Sequence, residues 1–174
     1  MVETVLEKVT EFLIAYTKAF KEAGANGVVM AEPAAGLLSP SLMDDFSTPY
    51  VRRIIDAVED ENFIVMYHNC GNISMLFDSI NKVNAKAYSF GNAIDIEDGL
   101  KAVPSDRMVI GNIDPAGIFR QGTPELVKQE TLSLLERCSK YPNFVISSGC
   151  DIPPVTPLEN IDGFFQAVNE FYKN

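Results

Sequence analysis

The sequence predicts an α/β fold built around a parallel β-sheet. Short apolar segments, typical of strands that are buried on both faces, alternate with segments whose apolar residues recur at helical spacing. Each apolar segment is followed by a helical one, and this alternation indicates parallel strands joined by right-handed crossovers. Two architectures fit these observations: an open doubly wound sheet, or a segment of a (β/α)8 barrel of the TIM type.

The first predicted helix covers residues 3–23, and Gly24 ends it as a left-handed cap. The apolar segment 27–30 follows as the first buried strand, and residues 33–40 form a loop. The helix is amphipathic, so we expect its apolar stripe to face the core. That stripe consists of Leu6, Val9, Leu13, Tyr16 and Phe20.

The rest of the chain repeats the same unit. A helix over residues 48–59 is predicted because Thr48-Pro49 has the cap-then-proline order favoured at helix starts. The last helix starts with a capping box, Thr156 to Glu159. The other strands are predicted at 63–67, 86–90, 107–112 and 143–147, and the other helices at 74–83, 96–103, 123–140 and from 156 onward. These five units are too few for a full barrel, which typically needs about 250 residues.

Charge and hydropathy exclude several classes of function. A net charge of -10 argues against a broad nucleic-acid contact, which needs clustered Lys and Arg. No apolar run approaches the roughly 18 residues that span a bilayer, and the N-terminus lacks a signal-peptide pattern. We therefore expect a cytoplasmic protein without a membrane partner. Three cysteines in such a chain do not indicate a disulfide framework, which leaves metal binding, catalysis or burial.

Residues with metal-binding chemistry follow two of the predicted strands. His68 and Cys70 end the second strand, where residues two apart project to one face. Cys150 follows the fifth strand, and the C-terminal ends of parallel strands share one edge of the sheet. Zinc prefers imidazole and thiolate ligands, and three such ligands without paired C-x-x-C knuckles are typical of an open, catalytic site. The alternative is a hydrogen-bonded core histidine beside buried free cysteines.

The third cysteine has a different setting. Cys138 follows Val127, Thr131 and Leu134 at helical spacings. We therefore assign Cys138 to the packed face of a helix.

At these motifs the chain resembles the C-terminal part of the uroporphyrinogen decarboxylase superfamily, and more closely its zinc-dependent methylcobamide methyltransferase branch. The likeness covers nearly the whole chain. The histidine–cysteine pair with the distant Gly149-Cys150 marks the methyltransferase branch, and the other motifs mark the superfamily. The matching segments are Leu38-Ser39-Pro40, His68-Asn69-Cys70-Gly71-Asn72, Gly111-Asn112-Ile113-Asp114-Pro115, Gly122-Thr123-Pro124-Glu125 and Ser148-Gly149-Cys150-Asp151 with Thr156-Pro157.

The resemblance implies a (β/α)8 barrel of the TIM type, of which this chain holds about five of the eight units. Residues 1–174 would then form a single domain, the C-terminal portion of an incomplete barrel. A barrel that lacks three strands exposes two strand edges. We therefore expect the chain to form a homo-oligomer or to bind another partner.

The resemblance also implies an enzyme. The expected reaction moves a methyl group from a corrinoid (cobalamin) carried by a partner protein to a small thiol such as coenzyme M, as in methanogenesis. His68, Cys70 and Cys150 would hold the zinc ion that binds the thiol. By position, Glu32 is a candidate catalytic residue and fourth ligand, or else a helix-cap or surface carboxylate. Asp114 is a second catalytic candidate that could orient a ligand, although a helix cap is the simpler interpretation.

Two other functions stay open. One is a uroporphyrinogen decarboxylase-like lyase that acts on a tetrapyrrole without a metal. The other is a catalytically incomplete remnant or binding subunit. The methyl acceptor also stays open between coenzyme M, another thiol and tetrahydrofolate.

Overall fold

The computed structural model describes residues 1–173, and its strands form one parallel sheet. They pair in the order of the chain, each with the next, without the reversal that defines a doubly wound sheet. This order confirms the predicted α/β class and is consistent with an incomplete barrel of the TIM type. The strands are β1 (Gly27–Ala31), β2 (Ile64–Asn69), β3 (Ala87–Phe90), β4 (Met108–Ile113) and β5 (Phe144–Ser148).

Helices connect the strands, and every helix predicted from the sequence is present. None of those in residues 1–173 is long and apolar enough to cross a membrane. A 3₁₀ segment (Pro33–Leu37) follows β1 and a π-helical segment (Pro115–Arg120) follows β4. The α-helices are α1 (Val2–Glu22), α2 (Pro40–Phe46), α3 (Thr48–Val58), α4 (Phe77–Asn81), α5 (Ile96–Ala102), α6 (Pro124–Cys138) and α7 (Leu158–Lys173).

The segment after β1 is a correction to the predicted loop over residues 33–40. It contains the 3₁₀ turn and then leads into α2, a short helix that was not predicted. Ser39 caps α2 by accepting a hydrogen bond from the Leu42 backbone N–H at 3.3 Å, and Pro40 fits the first helical turn.

The two faces of the sheet have different surroundings. Val65 and Tyr67 of β2 and Val109 of β4 point to one face and are fully buried. Val29 of β1 and Val145 of β5 point to the opposite, inner face and are 64% and 39% exposed. Within residues 1–173, the inner face is therefore least covered at its two edge strands.

Helix α1 presents its apolar stripe differently from the prediction. Thr10 and Thr17 are buried, whereas Val9, Tyr16 and Phe20 are exposed, so the expectation that these three face the core was wrong. The physical reason is that α1 packs on α3 and β1 through a neighbouring side of the helix, which carries Thr10, while Leu6 and Leu13 of the stripe are half-buried at the margin of this contact. The predicted left-handed conformation of Gly24, at φ +96°, is confirmed.

The last helix is anchored by an asparagine rather than by the predicted capping box. The buried Thr156 Oγ1 has no hydrogen-bond partner among residues 1–173, so that prediction was wrong. Asn160 Nδ2 instead donates to the carbonyl oxygens of Phe119, at 2.7 Å, and Gly122, at 3.0 Å. These bonds attach the start of α7 to the segment between β4 and α6.

Gly163 allows α7 to pack closely on α6. A Cβ atom at this position would lie 2.6 Å from the Pro124 carbonyl oxygen and 3.2 Å from the Pro124 Cα. Both are backbone atoms at the start of α6, so they cannot move aside as a flexible side chain could. The close approach of the two helices therefore depends on glycine here.

We expect Gly163→Ala to lower the free energy of unfolding. Overpacking typically costs about 1–3 kcal/mol, against a gain in helix propensity of up to about 1 kcal/mol. Urea denaturation measures the change in the free energy of unfolding. The control is Gln166→Ala, a substitution at an exposed position on the same helix. A Gly163→Ala protein at least as stable as this control would contradict the packing argument.

Candidate metal centre

Two strand ends supply the three side chains that were predicted to bind metal. His68 lies in β2 on the inner face, and Cys70 follows one residue after the strand. Gly71, at φ +78°, lets the chain turn away immediately after Cys70. Cys150 comes two residues after β5. The backbone thus delivers all three side chains to the C-terminal edge of the sheet.

The three side chains meet at one point. His68 Nε2 lies 2.9 Å from Cys70 Sγ, and Cys70 Sγ lies 3.6 Å from Cys150 Sγ. All three potential ligand atoms lie within 4.8 Å of one another. The structure therefore brings the predicted triad together in a group that could hold a metal ion, and that binding itself stays a prediction.

Burial sets the protonation of this group. It lowers the pKa of His68, although the charge of Asp151 acts in the opposite direction. Burial, and then the hydrogen bond with Cys150, raises the pKa of Cys70 to about 11. At neutral pH the metal-free centre thus contains a neutral imidazole and a protonated Cys70 thiol, whose proton a metal ion must displace.

A cavity of about 500 Å³ opens in front of the triad. Its wall is apolar on the side of β1 and β2 and polar on the side of β3 and β5. Asp151 contributes a carboxylate at the rim, where its side chain is exposed. The apolar wall consists of Val29, Ala31, Pro33 and Met66, and the polar wall includes Ser89, Ser147 and Ser148.

Ser89 contacts the triad but was not predicted from the sequence. Its Oγ lies 2.9 Å from His68 Nδ1, and both residues are buried. Ser89 is paired with His68 across β2 and β3. The signal was present in the alternation of β3, where Ser89 is the polar residue on the face opposite Tyr88 and Phe90. Only the register between the strands shows which side chain it meets.

Glu32 is not part of the triad. Its backbone N–H continues the β1–β2 ladder by donating to the His68 carbonyl oxygen at 3.0 Å. Its carboxylate accepts hydrogen bonds from Ser47 Oγ, at 2.7 Å, and from the Tyr67 hydroxyl. Because side chains alternate along a strand, Glu32 points to the helix-covered face and lies outside the group within 4.8 Å. The structure thus places the Glu32 carboxylate apart from the three ligand atoms, and its role stays a prediction.

Asp114, the other acidic candidate, also lies outside the group of ligand atoms. Asp114 Oδ1 accepts hydrogen bonds from the backbone N–H groups of Ala116, at 2.8 Å, and Gly117, at 3.0 Å. Asp114 thus caps the π-helical segment, which is the simpler of its two interpretations. Together with Asn112, it also lines a separate cavity.

Cys138 is buried in α6, as its helical spacing predicted.

The family of the chain follows from comparison with known proteins. The family model described as "Uroporphyrinogen decarboxylase (URO-D)" matches residues 1–171. The chain belongs to the uroporphyrinogen decarboxylase family. This membership agrees with the resemblance predicted from the sequence motifs and with the order of the strands.

Relatives within the family include proteins of two activities. The chain is 27% identical to "Methylcobamide:CoM methyltransferase MtbA" from Methanosarcina acetivorans over 98% of its length and 50% of that protein. It is 30% identical to "Uroporphyrinogen decarboxylase" from Prochlorococcus marinus (strain NATL1A), over 87% of the chain and 44% of that protein. A solved "methyltransferase from Methanosarcina mazei" matches 94% of the chain with a TM-score of 0.84 and 27% identity, over 47% of that structure. The chain thus spans about half the length of these relatives.

We expect Glu32→Ala to leave the affinity for a divalent metal unchanged while lowering stability. The substitution leaves the buried Tyr67 hydroxyl without its acceptor, which costs about 1–3 kcal/mol. Cobalt titration followed by absorbance measures the affinity, and urea denaturation measures the free energy of unfolding. The control is Glu32→Ala with Tyr67→Phe, which should recover part of the stability. A large loss of metal affinity in Glu32→Ala would restore Glu32 as a ligand.

Metal affinity should fall as pH falls. The pKa of Cys70 is raised to about 11, so its thiol is protonated throughout the neutral range and loses its proton when the metal binds. Each displaced proton weakens the apparent affinity up to about tenfold for each pH unit of acidification. The lowered pKa of His68 adds no competing proton near neutrality. Calorimetry in buffers of different ionisation enthalpy counts the released protons, and binding without proton release would contradict this account.

Proposed function

We propose that this chain is the metal-holding portion of a zinc-dependent methyltransferase. The proposed enzyme moves a methyl group from a methylated corrinoid, carried by a partner protein, to a thiol such as coenzyme M. The observation that supports the proposal best is the convergence of His68, Cys70 and Cys150 within 4.8 Å at the mouth of one cavity.

The donor set and its spacing fit zinc. Zn–S bonds of about 2.3 Å in a tetrahedral site place two sulfurs roughly 3.8 Å apart, and Cys70 Sγ and Cys150 Sγ are 3.6 Å apart. The corresponding N–S separation is roughly 3.5 Å, so His68 Nε2, now 2.9 Å from Cys70 Sγ, would move back by roughly half an ångström. One neutral imidazole and two thiolates balance the charge of a dication.

The arrangement leaves room for a thiol. With three protein ligands, a tetrahedral zinc ion would keep a fourth position for a substrate atom, which is typical of catalytic rather than structural sites. The cavity of about 500 Å³ lined by the triad would give a small thiol access to it. When bound, zinc lowers the pKa of a coordinated thiol and presents it as a thiolate nucleophile. The chain's own part is to fix the ligands on two strand ends and to shield one side of the thiol with Val29 and Met66.

The relatives support the proposal in two ways. A methylcobamide:CoM methyltransferase matches almost the whole chain, and a solved methyltransferase superposes with a TM-score of 0.84. The name of the first protein specifies a methylcobamide and CoM, and the name of the second specifies a methyltransferase. We transfer the reaction to this chain because its triad offers the donor chemistry that thiol activation needs.

The second candidate is a decarboxylase acting on a tetrapyrrole. It is favoured by the 30% identity to uroporphyrinogen decarboxylase from Prochlorococcus marinus. A metal-free decarboxylation would make no use of an imidazole and two thiols placed at one cavity mouth. Metal content therefore separates the two reactions.

We expect one zinc ion per chain, and its loss when either thiol ligand is removed. Cys70→Ala and Cys150→Ala each delete one of three ligands, so the affinity should fall by at least about 100-fold. Cys138→Ala is the matched control because Cys138 is buried in α6, away from the triad. Elemental analysis and chelator competition give the stoichiometry and affinity. Retention of zinc in both ligand variants would refute the site.

Activity is tested separately by incubating the zinc-loaded protein with methylcobalamin and a panel of thiols. Release of cob(I)alamin, followed by its absorbance, together with formation of the methyl thioether would support the proposed reaction. A zinc-loaded protein that transfers no methyl group would indicate a binding portion without turnover. A zinc-free protein with intact ligands would favour the decarboxylase.

A further inference from the structure

We propose that Ser89 is a positioning residue that selects the nitrogen of His68 that faces the metal. Its hydroxyl accepts the Nδ1–H of the imidazole and so leaves the Nε2 lone pair directed at the two thiols. This inference deepens the proposed metal site and rests on it.

The contact is fixed by the backbone. His68 and Ser89 are paired residues of the neighbouring parallel strands β2 and β3, so both side chains stand on the inner face. Their atoms Nδ1 and Oγ are 2.9 Å apart, which is an ordinary hydrogen-bond distance. Each residue is only 7% exposed. Water therefore has little access to replace the serine hydroxyl as a partner for Nδ1.

The chemistry of the imidazole makes this contact decisive. A neutral imidazole carries one N–H, and its other nitrogen is the one that can bind a metal. His68 Nε2 faces Cys70 Sγ at 2.9 Å, so a proton on Nε2 would occupy the direction of the ion. A partner that holds the proton on Nδ1 removes this competition and also fixes the plane of the ring.

The polar wall of the cavity supplies a matched control. Ser147 of β5 also lines the cavity, but its side chain makes no hydrogen bond with His68, Cys70 or Cys150 in the described part of the chain. Ser147→Ala thus removes a hydroxyl from the same cavity without touching the imidazole. Ser89→Thr keeps a hydroxyl at the position of interest.

The first measurement is zinc affinity by chelator competition. We expect Ser89→Ala to weaken binding by about 10–100-fold, the usual effect of removing a hydrogen-bond partner of a ligating histidine. Ser89→Thr and Ser147→Ala should stay within about threefold of the unsubstituted protein. Equal losses in Ser89→Ala and Ser147→Ala would overturn the proposal, since they would reflect the polarity of the cavity rather than a specific contact.

The second measurement is nitrogen NMR of the imidazole in the metal-free protein. His68 is the only histidine of the chain, so its two ring nitrogens are assigned without ambiguity. We expect the proton on Nδ1 in the unsubstituted protein and in Ser89→Thr, and a shift towards Nε2 in Ser89→Ala. A purely structural role for Ser89 would not move this equilibrium.

These measurements separate the inference from the function on which it rests. If zinc binds but Ser89→Ala changes neither affinity nor tautomer, the positioning role is wrong and the proposed function stands. If no zinc binds, the proposed function fails, while the spectra still show which nitrogen carries the proton. An unsubstituted protein with its proton on Nε2 overturns the proposal even if Ser89→Ala does not fold.

Discussion

The sequential parallel pairing of β1 to β5 is the constraint on which the candidate site depends. The ends of β2 and β5 carry the ligands, although two strands lie between them. Three strand spacings amount to roughly 14 Å along a sheet, yet Cys70 Sγ and Cys150 Sγ are 3.6 Å apart. Side chains from these two ends meet because the sheet curls around its inner face, as in a barrel, and because the segments after β2 and β5 both approach Gly91, which follows β3. The geometry of the candidate metal centre is therefore a consequence of the sheet's curvature and of this close approach.

The alternation of side chains along each strand then separates two polar networks. On the inner face, His68 meets Ser89 and the thiols. On the opposite face, Tyr67 and Ser47 engage the carboxylate of Glu32. A single peptide bond separates His68 from Tyr67, but the backbone keeps the two groups apart. The carboxylate consequently stabilises the layer between sheet and helices instead of supplying a further negative charge to the ligand group.

The separation of side chains between the two faces of the sheet also explains how much of the structure could be predicted from the sequence. Apolar runs and helical periodicity predicted the strands and most helices, and residue chemistry at two strand ends predicted the triad. Periodicity also showed that α1 is amphipathic, but it could not show that Tyr16 of the apolar stripe would stay exposed. The contacts of Ser89 and Glu32 depend on the register of the paired strands and on the face to which each side chain points. Both are tertiary properties that the sequence pattern does not show. Thr156 had the pattern of a cap, but Asn160 forms the bonds that anchor the helix.

Binding a metal and using it place different demands on this molecule. The proposed ligands and Ser89 all come from β2, β3 and the end of β5, so their geometry is set within residues 1–173. Activation of a thiol additionally requires a cavity that excludes water, because electrostatic effects weaken in a high dielectric. Val29 and Val145 at the edge strands remain partly or largely exposed on the inner face within these residues. Metal affinity should therefore be a property of the strand ends alone, whereas the proposed methyl transfer should depend on how fully water is excluded at β1 and β5.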